Sequence, residues 1–148
     1  MEDLIKQVIA GSTFSGQIDE QIEYEEKAQL KYNDSQFEGM GFDAATYYSY
    51  VMGITTEDYY SLIHEQIEMS IKYGYCLEEI AKKEGYTVSQ EDFDKMFEEI
   101  FFTTYGFTSK EEVYAEIPEE EVKTYIDRYV ISEKAEQLII DTAVINNN

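Results

Sequence analysis

One cysteine, one histidine and one proline are all that 148 residues hold of those types, and tryptophan is missing altogether. A lone thiol cannot close an internal disulfide, so Cys76 gives no reading of the redox compartment. A single histidine, His64, leaves zinc without a second soft ligand beside it. Cations are scarce as well: 11 Lys and Arg stand against 32 Asp and Glu, a formal net charge of -21. Nucleic-acid binding requires clustered cations to neutralise phosphates, and here they are scattered, with Arg128 the sole arginine. The same negative field repels anionic lipid. No apolar stretch nears the ~20 residues that span a bilayer, and "LII" before Asp141 is typical of those present. The start, "MEDLIKQVIAGS", lacks the basic and apolar regions of a signal peptide. These absences argue against nucleic acid as a partner and against membrane insertion.

What is present reads as a globular chain, with 43% hydrophobic and 29% charged residues. Few turn formers and many Glu, Lys, Gln, Leu and Ile favour helices. A short helix is expected over Glu2 to Ala10, with Leu4, Ile5 and Val8 on one face, before "GSTFSG" breaks it. The stretch from Gln17 to about Gln36 has Ile18 and Ile22 on one face, beyond which the apolar stripe thins. A helix so polar is expected to project or to pack only at one end. Asp43 can cap a short helix ending near Gly53, and Thr55 with Asp58 resembles a capping box for a long helix stopping at Gly85. On that helix Ile63, Ile67, Ser70, Gly74, Leu77 and Ala81 form a stripe whose small members would admit a closely crossing helix. Ser89 caps the next helix, whose face is Phe93, Met96, Phe97 and Ile100. Ser109 with Glu112 reads as a second capping box, and Pro118 as a first helical residue. The last helix directs Val122, Ile126, Tyr129, Leu138 and Ile139 inward. No strand-like alternation competes, so the fold class is all-α.

Catalytic and metal constellations fail one by one. On one long helix His64 and Cys76 stand twelve residues apart, roughly 18 Å at the helical rise, which forbids a dyad. Cys76 beside Tyr75 and Leu77 reads as a small buried hydrophobe, and His64 as an exposed side chain paired with Glu68 one turn on. "HEQIE" lacks the second histidine of a metalloprotease helix. "DSQFEGMGFDAA" puts Gly39 at the sixth place of a calcium loop but Ala45 at the twelfth, where a bidentate glutamate is needed. No phosphate-cradling or nucleophile-elbow motif occurs. The chain is expected to have no catalytic residue, no metal and no cofactor.

The informative excess is aromatic: 14 tyrosines and 8 phenylalanines. They gather in "FEGMGFDAATYYSYVMG", "EDYYS", "KYGY" and "IFFTTYGF". Tyr47, Tyr48 and Tyr50 on one short helix point in several directions, so one core cannot bury them all. Tyrosine supplies rigid amphipathic contact area and methionine adaptable contact area, which suits a surface for varied apolar segments.

The order of "YVMGITTEDYY", "YGYCLEEIAKKEGYTVSQEDFDKMFEEI", "YGFTSKEEVYAEI" and "SEKAEQLIIDTAVI" resembles the C-terminal domain of bacterial trigger factor. The resemblance covers roughly residues 2 to 145. One departure is Ser15 and Gly16 in the spacer before the arm helix, where that family usually has a proline. Its ribosome-binding tail and FKBP-like prolyl isomerase domain have no counterpart in these 148 residues, so neither activity carries over. The resemblance implies a single helical domain: a short helix plus arm helix over 1–38, a helical body over 39–145, and a frayed tail at 146–148. Projecting arms and an apolar hollow are the expected architecture, shared with SurA-type chaperones. The implied function is an ATP-independent holdase for unfolded or nascent polypeptides, cytoplasmic, or extracytoplasmic if part of an exported chaperone. Self-association is a further expectation. Candidate client contacts, chosen from composition, are Met40, Phe42, Tyr47, Tyr50, Met52, Tyr59 and Phe102. The alternatives are a docking module for one fixed partner, or the C-terminal part of a larger FKBP-type isomerase.

Overall fold

The computed structural model describes residues 2–14 and 18–143. Ser15 and Gly16 of the spacer, and the tail at 146–148, lie outside them. Among the described residues there are seven α-helices, one π-helical segment and no strand, so the all-α reading holds. The helices are α1 (Glu2–Ala10), α2 (Ile18–Ser35), α3 (Ala44–Met52), α4 (Thr56–Glu84), α5 (Gln90–Phe97), α6 (Lys110–Glu116) and α7 (Glu119–Thr142), with the π segment (Glu98–Thr104) directly after α5. The chain divides into two compact units, Met1–Cys76 and Leu77–Asn148, and the boundary falls inside α4.

Local capping explains several helix ends. The Asp43 carboxylate accepts from the Thr46 amide at 2.7 Å and starts α3, which Gly53 ends in the left-handed region at φ 68°. A side chain there would be strained, which is why glycine closes this helix. Thr55 and Asp58 form the reciprocal box that opens α4: each side chain accepts from the other's backbone amide at 3.0 Å. Gly85, at φ 66°, closes it, with the Tyr86 amide reaching back to the Ala81 carbonyl at 3.0 Å.

In the first unit, Ala44, Ala45 and Tyr59 are the buried centre, with Leu30, Phe37, Ile54 and Ile63 packed around them. The small alanines let α3 lie close, and the Ala44 amide donates to Asp34 Oδ1 at 3.1 Å, tying α3 to the end of α2. On α2, Ile18, Ile22, Glu26, Leu30 and Asn33 are all shielded from solvent, a stripe that runs the helix's length at three- and four-residue spacing. The polar members are met by α4: Glu26 by His64 at 2.9 Å and Asn33 by Tyr59 at 2.8 Å, while Gln21 on the flank receives the Tyr75 hydroxyl at 2.7 Å. As the α2 number rises the α4 number falls, so the two helices run antiparallel. The expected thinning of the stripe is therefore corrected: polar side chains continue it because a non-local helix supplies their partners. His64 is paired with Glu26, whereas Glu68, its expected partner, holds Lys72 at 2.5 Å. Cys76 is buried as expected, its thiol 3.4 Å from the Ser12 hydroxyl. Among the described residues the expected close crossing at Ser70 and Gly74 does not occur: Ser70 is exposed, and a Cβ on Gly74 would meet nothing within 4 Å.

The second unit has the larger core: Met96, Phe97, Ile100, Phe101, Val113, Val122, Ile126 and Val130. Phe97 is 0% exposed and touches Phe101 and Phe102 at ring separations of 5.0 and 5.5 Å. The wider π turn lets these two consecutive aromatics both reach Phe97, which an α-helical turn would point 100° apart. Ser89 and Asp92 form the capping box of α5, and Lys134 of α7 grips it through Asp92 at 2.7 Å and the Thr87 carbonyl at 3.0 Å. Three expectations shift here. The Ser109 hydroxyl does cap α6, but the Glu112 carboxylate turns to the Thr108 amide at 2.8 Å instead of closing the box on Ser109. Pro118 precedes α7 as its cap residue, with ψ 137°. Tyr129 is exposed, and Val130 takes the inward place after Val122 and Ile126, at even four-residue spacing.

Candidate functional site

Within the first unit lies a hollow of about 790 Å³ walled by α1, α2, α3 and α4. Ile9 and Ala10 of α1, Tyr48 and Met52 of α3, and Tyr59, Leu62, Ile63 and Met69 of α4 give it an apolar lining. Its polar members are Gln29 and Asn33 of α2, with Glu65, Gln66, Glu68 and Lys72 on α4 and Glu2 and Lys6 on α1. α1 reaches the wall because its half-buried face, Leu4, Ile5, Val8 and Ile9, turns inward. The chain after it is pinned by Phe14, whose ring lies 5.6 Å beneath the Lys72 ammonium.

An aromatic path leads into this hollow. Phe42 stacks on Tyr47, Tyr47 meets Tyr48 edge-on at 5.4 Å, and Tyr48 stacks on Tyr59 at 5.6 Å with the rings 5° from parallel. Phe37 packs against Phe42, Tyr47 and Tyr48 at once, at 4.8 Å from Tyr47. Such a network holds large side chains in fixed places even though they face water, so little side-chain entropy remains to be lost on contact.

Of the composition-based candidates, Met40, Phe42, Tyr47, Tyr50 and Met52 are exposed on the first unit, Tyr50 the most at 88%. Met52 lines the hollow itself. Tyr59 is only 4% exposed, a correction to its choice as a surface contact: α4 turns it under α3, where it becomes the floor. Phe102 belongs to the second unit, where it packs half-buried on the Phe97 core. Sequence reasoning missed Tyr48, Leu62 and Met69, which line the hollow, and Phe37, which braces it. Leu62 and Met69 are seven residues apart on α4, a helical-face signal that was available.

The electrostatics are those of a structural surface. His64 is held above its ordinary value of 6.5, chiefly by its hydrogen bond to Glu26, with Glu68 and Glu65 adding to it. Glu68 is lowered by the Lys72 ammonium. Among the described residues no group of three or more His, Cys, Asp and Glu is placed to hold a metal ion. No described helix is long and apolar enough to cross a membrane.

The decisive comparison is with the family described as bacterial trigger factor protein (TF) C-terminus, which matches residues 17–141. The chain belongs to the trigger factor C-terminal family. The match takes in α2 through nearly all of α7 and leaves out α1, which walls one side of the hollow. Trigger factor is a bacterial chaperone, and membership gives these helices a chaperone-domain role outside the isomerase part. Neither a curated protein nor a solved structure matched the chain.

Proposed function

We propose that the chain is an ATP-independent holdase that keeps unfolded or nascent polypeptides from aggregating, using the hollow of its first unit and the aromatic path beside it. The observation that carries this reading is the concentration of exposed Met40, Phe42, Tyr47, Tyr50 and Met52 next to an open, apolar-lined hollow of about 790 Å³. A monomeric surface rarely leaves so many large apolar groups side by side unless something binds there. The hollow has room for a few side chains of a client, not for a folded domain, so holding is a sum of weak local contacts. The net charge of -21 then keeps the loaded complex dispersed. Family membership supports the client class and a cytoplasmic site of action. Nucleic acid and membrane remain disfavoured partners on grounds of charge.

The test is light scattering from a chemically unfolded protein diluted into buffer, with and without this chain and without ATP. Suppression at near-stoichiometric ratio, weakened in Tyr48→Ser or Met52→Ser, is the expected result. A folded, helical chain that leaves aggregation unchanged would refute the holding role. Nanomolar binding to one partner with no effect on unrelated clients would instead make this a docking module.

A further inference from the structure

One polar group at the floor of the hollow has hydrogen-bonding capacity left over. Gln29 Nε2 donates to Asn33 Oδ1 at 2.8 Å, and Asn33 Nδ2 donates to the Tyr59 hydroxyl oxygen at 2.8 Å. All three residues line the hollow. Tyr59 is 4% exposed, and the one hydrogen bond its hydroxyl makes among the described residues is the one it accepts from Asn33. The carboxylate acting on it most strongly, Asp34, engages the Ala44 amide through Oδ1 at 3.1 Å. A phenol both accepts and donates, so this one has only half its capacity used. Accepting from Asn33 at the end of an amide relay polarises the O–H bond and makes it a better donor. A buried donor left without a partner is costly, so an occupant that covers it has to offer it an acceptor.

An apolar side chain cannot do so, but the backbone carbonyl beside it can. In a helix that carbonyl is already spent on the amide four residues on, whereas in an extended segment it is free. We propose that Tyr59 is the hydrogen-bond donor of the hollow and that it selects extended polypeptide, recognised as an apolar side chain with an unpaired backbone carbonyl next to it. The apolar walls fix which side chains fit, and Tyr59 distinguishes an unfolded segment from a helical one of the same composition. This inference rests on the holding role proposed above.

The experiment titrates two probes into the intact chain by NMR: N-acetyl-phenylalaninamide, which has a ring and backbone-like carbonyls, and ethylbenzene, which has the ring alone. The ratio of amide to hydrocarbon affinity should be about fivefold higher in the wild type than in Tyr59→Phe, the size of one net hydrogen bond. Tyr59→Phe should lose that factor in amide binding while leaving ethylbenzene binding unchanged. Tyr48→Ser should weaken both probes alike. With a ¹³C-labelled acetyl carbonyl, the bound amide resonance should also lie downfield of its position in hydrocarbon solvent, a readout that stands even if Tyr59→Phe does not fold. A ratio that survives Tyr59→Phe, or a bound carbonyl resonance at its hydrocarbon-solvent position, overturns the inference and leaves the holding role intact. Failure of both probes to bind removes the hollow as a site, and the holding reading with it.

Discussion

Phe97 and Tyr50 show how little an aromatic residue's type says about its work. Phe97 is 0% exposed at the centre of the second unit's core, and Tyr50 is 88% exposed on α3. Truncating Phe97 to alanine removes both transfer energy and packing, so it should cost about 3–5 kcal/mol in urea unfolding. Tyr50→Ala should stay within about 0.5 kcal/mol, since an exposed site has little to lose. A second residue-scale prediction concerns Asp92, whose carboxyl is drawn from 3.8 to about 2, first by Lys134, then by the Ser89 hydroxyl and backbone amide. A lowered folded value means this contribution is fully present above 3.8 and is lost as pH falls through about 2. Lys134→Met should therefore flatten the pH dependence of stability across that interval, read by urea midpoints at a series of pH values. An unchanged slope would show that Lys134 does not set the Asp92 value. At this scale the sequence was legible wherever the cause was local. Asp43, Thr55 with Asp58, and Ser89 act on amides within three residues of themselves, and each performs as its type and spacing suggest. Tyr129 and Val130 were not separable, because neighbouring positions on a helix differ by 100° and tyrosine can face either way. Tyr59 likewise looked like surface among other tyrosines, and only the packing of Ala44 and Ala45 above it decides otherwise.

Elements extend this logic to partners far apart in the chain. α2 seemed too polar to pack along its length, yet Gln21, Glu26 and Asn33 meet Tyr75, His64 and Tyr59 of α4. No periodicity of α2 alone could reveal that ladder, because its partners lie 26 to 54 residues away. The π segment was equally hidden, since it follows from two adjacent phenylalanines sharing one core site. The ladder has a titratable rung. His64 faces Glu26 from α2 and has Glu65 and Glu68 beside it on α4, all acidic, and its folded value is raised above 6.5. The contribution of this rung is fully present below 6.5 and is lost as pH rises through the raised value. Amide-exchange protection in the α2 segment, corrected for intrinsic exchange rates, should be greater at mildly acidic pH than at alkaline pH. His64→Gln, which can still hydrogen-bond but cannot ionise, should remove that difference. If the variant keeps it, another group carries the dependence. The effect should be modest, because both partners are partly exposed to water.

For the molecule as a whole, the surplus of negative charge is the property most directly tied to the proposed holding of clients. Among the described residues eight of the 11 cations sit against a carboxylate, Lys6, Lys72 and Lys134 included, so little free positive charge is left there to offset the net charge of -21. Two roles then separate by their range. Under the proposed function, contacts in the hollow are apolar and short-ranged, and salt leaves them in place or strengthens them. Repulsion between loaded complexes is long-ranged, and the screening length shrinks from about 30 Å at 0.01 M salt to about 3 Å at 1 M. Raising salt should therefore leave binding of a short uncharged apolar peptide unchanged or slightly tighter, while client-loaded complexes begin to scatter light. The chain alone, scanned over the same range, controls for its own solubility. If loaded complexes stay clear at high salt, charge is not what disperses them. If peptide binding collapses with salt, the attraction is electrostatic, and the apolar hollow is not what holds the client.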